Sequence, residues 1–547
     1  MKYYDVIVVG AGAAGAPLAV RLSEDPDRTV LLLEAGPVPR TLGEFPPELL
    51  NPGTVQGAMP GHPDNWSFAG YLTPSLPYSI ARGRILGGSS TINGAYFVRA
   101  RRDDFTRWSA HGQDEWTYDR ALPAYRRLET DLDYGDSGLH GSSGPVTVAR
   151  PPQDNPANHA FVDASAELGF PEEPDKNADG APGIGPVPMN VSDGVRWNTG
   201  LAYVIPALGR PNLEVRGGSY VRRVVFEGTR AAGVEVDGDG RTSVIRADQV
   251  VLSAGGVKTP HILLVSGVGP AEELTENGIP VVCDLPGVGR GFSDHPEIQV
   301  GWQPSDRVVD FRTSQSMASV LNFASAESTT GSDLEILPML KPMGYLLTGR
   351  SNPAGSAGSF LRHPVRSLGG LRGISLRRFA QQVAHQGDLA FLVAVQRQTS
   401  RGRIGLRSSD PREQPLIDYN YLSTDSDLRR MRQAVRIAVE LLHSRAFRPH
   451  FGSLTELDDG ILGDDATLNV WMRGHLATAI HLCGSARFGD PNDTEAVVDQ
   501  YGRVRGVEGL RVADTSILPD TPSRGPAATA VLIGERVAEF MRGATPS

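Results

Sequence analysis

Tyr4-Asp5-Val6-Ile7-Val8-Val9-Gly10-Ala11-Gly12-Ala13-Ala14-Gly15 is the stretch on which the fold turns. Its apolar run reads as a buried strand, and the small residues of Ala13–Leu22 read as a helix entered straight from three glycines. Val30–Leu33 is a second apolar run, and it ends in Glu34. Strand, helix and strand in so short a span make a βαβ unit, hence a parallel sheet covered by helices. Gly10, Gly12 and Gly15 form a G-x-G-x-x-G run at the strand-to-helix turn. The first glycine permits the tight turn, the second lets backbone approach a pyrophosphate, and the third allows close helix–strand packing. Ala13 and Ala14 lie at the helix N-terminus, whose free amides and positive potential suit an anion. Glu34 falls nineteen residues after Gly15, where a carboxylate accepts from a ribose diol, with Ala35 beside it. A nicotinamide and a flavin dinucleotide both satisfy the pattern up to this point.

Length and composition narrow the class. A chain of 547 residues is long for one domain and suggests two, interleaved. The net charge of −10 argues against a nucleic-acid binder, which needs a basic surface to displace counterions. Two cysteines, Cys283 and Cys483, cannot build a disulfide framework and suit a reducing compartment. The first apolar run passes directly into glycines, and no uninterrupted apolar stretch reaches the roughly 20 residues of a membrane span. A cytoplasmic enzyme is therefore expected, with no metal site.

A second strand-rich block covers Leu213–Val215, Val221–Phe226, Ala232–Val236 and Val250–Leu252, ending in Ala254-Gly255-Gly256. From about 300 to 395 the pattern becomes irregular and marks the region expected to face the substrate. Leu428–Leu442 has helical spacing, and the chain closes with a strand at Leu510–Val512, a Pro/Gly-rich loop and a helix over Ala528–Phe540.

Longer motifs then decide between cofactors. Ala81–Gly94, with Gly87-Gly88-Ser89-Ser90-Thr91-Ile92-Asn93-Gly94 at its end, closely resembles the first signature of the glucose-methanol-choline (GMC) oxidoreductases, and Ala254–Pro260 with Ser266–Gly269 resembles the second. Leu285–Gly289 followed by Asp294-His295, Ser400–Leu422, and Val512-Ala513-Asp514-Thr515-Ser516 match further stretches in family order. The resemblance implies a mixed α/β fold: a Rossmann-type FAD-binding domain with a smaller substrate domain built on an antiparallel sheet. It divides the chain into cofactor-domain segments 1–160, 196–298 and 478–547 and substrate-domain segments 161–195 and 299–477. It implies FAD held by the first glycine loop, by Gly87, Gly88, Ser89, Asn93 and Gly94, by the backbone of Val221, and by Ala254, Ala513, Asp514, Pro526 and Ala527. The histidine through which some members bind flavin covalently would fall near Ile92, so non-covalent FAD is expected.

Ala479-Ile480-His481-Leu482-Cys483-Gly484 corresponds to the family's histidine motif. Alcohol oxidation requires a group that takes the hydroxyl proton, and an imidazole suits that task near neutrality. Cys483 reads as a small buried filler. A second active-site His or Asn normally sits in the loop before the last helix, but counting back from Gly534-Glu535-Arg536 places Gly525 there. Three explanations compete: Arg524 or Ser523 reaches in, another domain supplies the partner, or the substrate fills the gap. The catalytic set expected is His481, with Gly525 at the partner position and Arg524 beside it.

Gly344–Gly387 holds six arginines and no acidic residue: Arg350, Arg362, Arg366, Arg372, Arg377 and Arg378, interleaved with apolar side chains. Such a stretch suits either a solvated loop over the pocket or a surface resting on anionic lipid or an acidic redox partner. The second reading makes the enzyme a dehydrogenase that works at the inner face of the membrane and passes electrons to a quinone or respiratory carrier. The chain also resembles an actinobacterial branch that includes the mycofactocin-associated oxidoreductases, which implies either a small alcohol or a redox cofactor as substrate. Oxygen-using sugar or C-glycoside oxidases, and the non-redox hydroxynitrile lyases of the same family, are the alternatives. The identity of the alcohol and the oligomeric state are not legible.

Overall fold

The apolar runs quoted above meet in one seven-stranded sheet. In the computed structural model, which describes residues 3–543 apart from 111, 136, 239, 306–314, 330 and 350–386, Tyr3–Val9 is central and parallel to Val30–Leu33 on one side and to Arg241–Leu252 on the other. Leu213–Arg216 extends the parallel sheet beyond Val30–Leu33, and Leu510–Val512 pairs in parallel with Arg241–Leu252. Tyr220–Glu227, Arg230–Gly238 and Arg241–Leu252 form an antiparallel meander along the other edge. Val6–Val9 and Val30–Leu33 are buried throughout, as parallel strands covered on both faces must be. Helix Gly15–Leu22 packs against the C-terminal helix Ala527–Gly543, and a Cβ on Gly534 would stand 2.2 Å from the Ala14 carbonyl oxygen. Only glycine permits that approach. The shared register gathers the strand ends Val9, Leu33, Leu252 and Val512 at one edge, where open α/β sheets bind ligands.

A second seven-stranded sheet is antiparallel, in the order Phe451–Leu454, Pro296–Pro304, Leu389–Val395, Leu334–Met339, Ser319–Phe323 and Ile184–Pro186, with Leu476–Thr478 also pairing with Pro296–Pro304. Side chains alternate across it. Ile298, Val300, Trp302, Ile336, Phe391 and Val393 enter a core shared with Met431, Val435 and Leu442 of helix Asp425–His443. Glu297, Gln299, Glu335, Leu337, Met339 and Leu392 face the other way and line a cavity.

One expectation needs correction in detail. The stretch 300–395, expected to be irregular, carries three strands of this sheet among its described residues, because Ser319–Phe323 and Leu334–Met339 are short and buried on every residue and so lack the alternation that marks a strand. Residues 68–80 form a hairpin in a five-stranded sheet with Arg290–Phe292, Gly402–Gly405 and Leu416–Asp418. Helix Met343–Thr348 is described, while the six arginines of the basic stretch lie outside the described residues. Among the described residues no helix is long and apolar enough to cross a membrane.

Candidate active site

The two sheets face one continuous cavity of about 710 Å³. From the first sheet it is lined by Gly10, Gly12, Ala13, Ala14, Glu34, Ala35, Val221 and Ala254, and from the loops between by Gly88, Ser89, Asn93, Gly94, Asp514, Pro526 and Ala527. His481 and Gly525 line it as well. Gly15, Gly87, Ala513 and Arg524 do not: the first three sit one layer back, in the packing of the loops.

The glycine loops fit a dinucleotide by their shape. Gly10 and Gly87 hold positive φ (101° and 88°), and the Gly87 amide donates to the Ala11 carbonyl at 2.8 Å. A Cβ on Gly88 would lie 2.7 Å from Gly12 Cα, so the two loops touch backbone to backbone and leave a side-chain-free cradle. Glu34 accepts from the amides of Ala11 (3.1 Å) and Gly36 (2.9 Å), and burial pushes its carboxyl up to about 7. Asp514 accepts from the Gly255 amide, the Thr259 hydroxyl, and the amide and hydroxyl of Ser516, which fixes the loop after Leu510–Val512. These donor-rich, glycine-lined walls fit the diphosphate and ribose portions of FAD.

At the other end His481 is held on three sides. Its Nδ1 lies 2.9 Å from Nδ1 of His295, with the rings at 85° to each other. His295 Nε2 lies 2.9 Å from the Pro522 carbonyl oxygen. A carbonyl only accepts, so His295 carries its proton on Nε2. Burial holds His295 down to about 4, so the ring is neutral and its Nδ1 is a lone pair. His481 must then donate from Nδ1, which leaves the lone pair of its own Nε2 free. Burial, followed by the neighbouring His295 and Arg82, holds the His481 imidazole well below the ordinary histidine range, so that lone pair stays unprotonated near neutrality.

The backbone at this point is strained. Ile480, a β-branched residue, holds φ +62°, which costs on the order of 1–3 kcal/mol. Arg82 donates to the Ile480 carbonyl at 2.6 Å, and Oδ1 of Asp294 accepts from the amides of both His295 (2.7 Å) and His481 (2.6 Å). One carboxylate thus sets the spacing of the two histidines. Asp294-His295 belongs to a stretch quoted above for resemblance alone, and no role follows from it in one dimension. The signal available was an adjacent pair of titratable residues opening an apolar strand.

Arg524 does not reach toward His481. It is fully buried and bonded to Glu173 and to the Lys176 carbonyl, where it ties the loop to the second sheet's edge. Ser523 donates from its amide and its hydroxyl to the Asp104 carboxylate. A Cβ built on Gly525 would lie 3.4 Å from His481 Cε1 and 3.5 Å from Nε2, so the space beside the lone pair is open. The second sheet adds two carboxyls to the wall. Glu297 and Glu335 flank Ala394 from either side, two strands and roughly 10 Å apart. Burial, and then Glu335, pushes Glu297 up to about 8. Glu335 accepts from Asn322 at 2.9 Å, and burial raises it too.

The comparisons with known proteins agree on one family. Models of the GMC oxidoreductase match residues 4–297 and 398–534. An uncharacterised GMC-type oxidoreductase in the thcA 5′ region of Rhodococcus erythropolis is 38% identical over 99% of both chains. The oxygen-dependent choline dehydrogenase of Brucella ovis is 34% identical over 99% of this chain and 96% of its own. Among solved structures, pyridoxine 4-oxidase from Mesorbium loti superposes with a TM-score of 0.85 at 27% identity, covering 99% of this chain and 100% of its own. The chain belongs to the GMC oxidoreductases, FAD-dependent enzymes that act on CH–OH donors.

Proposed function

We propose that the protein oxidises an alcohol to a carbonyl with His481 as the base, and that a lone pair on His481 Nε2, aimed into the cofactor-lined cavity, is the observation that carries this reading. His481 Nε2 receives the hydroxyl proton as the C–H bond breaks, and His295 steadies the resulting imidazolium by accepting from Nδ1. Bound FAD supplies the hydride acceptor. Glu34, Gly10–Ala14, Gly88–Gly94, Val221, Ala254, Asp514 and Pro526–Ala527 would hold it, on loops packed through Gly15, Gly87 and Ala513. The flavin is held without a covalent bond, since Ile92 stands where a histidine would be required and Gly87–Asn93 contains no nucleophilic ring or thiol.

The two buried carboxyls favour an alcohol that also bears a positive charge. Apolar walls leave Glu297 protonated in the empty site, and a cation beside it restores the carboxylate. Choline, named in one relative, is an alcohol of this chemistry.

The electrons pass to a quinone or respiratory carrier in this reading, supported by the basic stretch 344–387, and mycofactocin reoxidation is its narrower form. Such an acceptor places the protein at the inner face of a membrane. An oxygen-using oxidase is the rival, favoured by the solved pyridoxine 4-oxidase. Mixing the enzyme anaerobically with a panel of alcohols and watching the flavin bleach tests the oxidation. Readmitting oxygen, a dye or a quinone then separates the acceptors. A flavin bleached by no alcohol would refute the oxidation and leave a lyase or a non-catalytic flavoprotein.

A further inference from the structure

Gly525 is a glycine that its backbone does not require. Its φ lies outside the left-handed region, and the nearest atoms to a Cβ there are 3.4 Å away or more, so an alanine would be accommodated at ordinary contact distance. The close-packed glycines of this fold behave otherwise: at Gly10, Gly15 and Gly534 a Cβ would stand within 2.4 Å of a backbone oxygen. What glycine at 525 leaves is therefore open volume, and it lies against the edge of His481 that carries the free lone pair.

The chemistry of that space is one-sided. The atoms nearest the missing Cβ are His481 Cε1, His481 Nε2 and Cγ1 of Val98, the last at 3.9 Å on a fully buried side chain. Pro526 and Ala527 continue the wall. Apart from Nε2 itself those neighbours are apolar, whereas a held water needs two to four polar partners. An apolar group is the better occupant.

Its identity follows from the reaction. A hydroxyl oxygen poised for proton transfer sits about 2.6–3.2 Å from Nε2. A carbon attached to the same carbinol carbon then falls on the order of 3.5–4.5 Å from Nε2, the shell in which the missing Cβ would lie at 3.5 Å. We infer that Gly525 is a specificity-determining residue and that the space it leaves takes the second carbon substituent of a secondary alcohol, one branched at the reacting carbon. This rests on the reading of His481 as the base of alcohol oxidation. It explains how the loop works with no side chain at that position: the substrate's own carbon fills it.

The test compares matched primary and secondary alcohols, cationic and neutral, with the FAD-loaded enzyme and its Gly525→Ala and Gly525→Asn variants. The flavin bleaching rate and the apparent dissociation constant are read under anaerobic conditions. The wild type is expected to oxidise secondary alcohols at least as well as their primary counterparts. In each variant the rate on secondary alcohols relative to their primary counterparts should fall by about ten- to two-hundredfold, the usual cost of misplacing a group of methyl size or larger. Primary alcohols preferred by the wild type, or equal losses on both classes in Gly525→Ala, would overturn the inference and leave His481 as the base. No bleaching with either class would overturn the alcohol-oxidation reading and this inference with it. Flavin absorbance and thermal unfolding of each variant establish that loss of rate is not loss of fold.

Discussion

Replacing His295 with alanine removes a side chain that does not itself line the cavity yet sets the protonation of one that does. In the variant, His481 Nδ1–H loses its acceptor at 2.9 Å, the ring of the fully buried His295. Orphaning a buried donor costs about 1–3 kcal/mol. That penalty falls on the reactive tautomer, because a proton moved to Nε2 destroys the base, so the limiting rate of flavin reduction should fall by about five- to a hundredfold. The pH dependence should move as well. In the wild type, burial and the neighbouring ring keep His481 well below the ordinary histidine range, so the base stays neutral and the rate flat as pH falls toward acid. Water entering the space left by His295 raises that value, and the rate is then lost as pH falls through the higher value. Anaerobic stopped-flow reduction at saturating alcohol, repeated across pH, reads both effects. His295→Asn keeps an acceptor near the Nδ1 position and should recover part of the rate and the original profile. An alanine variant with the wild-type rate and profile would refute the tautomer argument. An asparagine variant no better than alanine would reduce His295 to packing.

Three further outcomes follow. His481→Ala should lower flavin reduction by about 10²–10⁴-fold with FAD still bound, and unchanged reduction would remove His481 from the mechanism. Acid precipitation should release all of the yellow cofactor into the supernatant, whereas colour retained in the pellet would disprove non-covalent binding at the Ile92 loop. A quaternary ammonium inhibitor should bind more tightly as pH rises toward about 8, where Glu297 ionises, and Glu297→Gln should abolish that dependence. Titration of the inhibitor by flavin difference spectra checks it, and affinity independent of pH in the wild type would show that Glu297 does not face the bound charge.

The cofactor half of the molecule was legible because its demands are local. A parallel strand covered on both faces must be apolar throughout, a phosphate cradle must be free of side chains, and both are written in consecutive residues at Tyr4–Gly15 and Gly87–Gly94. The substrate half was not, because its demands are distributed. Glu297 and Glu335 belong to strands whose alternate residues are core, and only the pairing of both with the strand through Ala394 puts the two carboxyls on one wall. His295 precedes His481 by 186 residues, and their meeting depends on one carboxylate, Asp294, reaching both amides.

The same geometry explains why an empty partner position is compatible with a working base. A side chain at 525 would contact His481 from the substrate side, at Cε1 and Nε2. The proton that decides the tautomer is controlled from the opposite side, through His295 Nδ1 and ultimately the Pro522 carbonyl. Pro522 lies three residues before Gly525 in the same loop, and that loop is pinned by the buried contact of Arg524 with Glu173 and of Ser523 with Asp104. In the proposed reading, orientation of the base and space for the substrate are thus set by different residues of one loop. In the proposed reading, the absence of a side chain at 525 opens the second without loosening the first, and that separation allows a glycine where the resemblance implies a histidine or an asparagine.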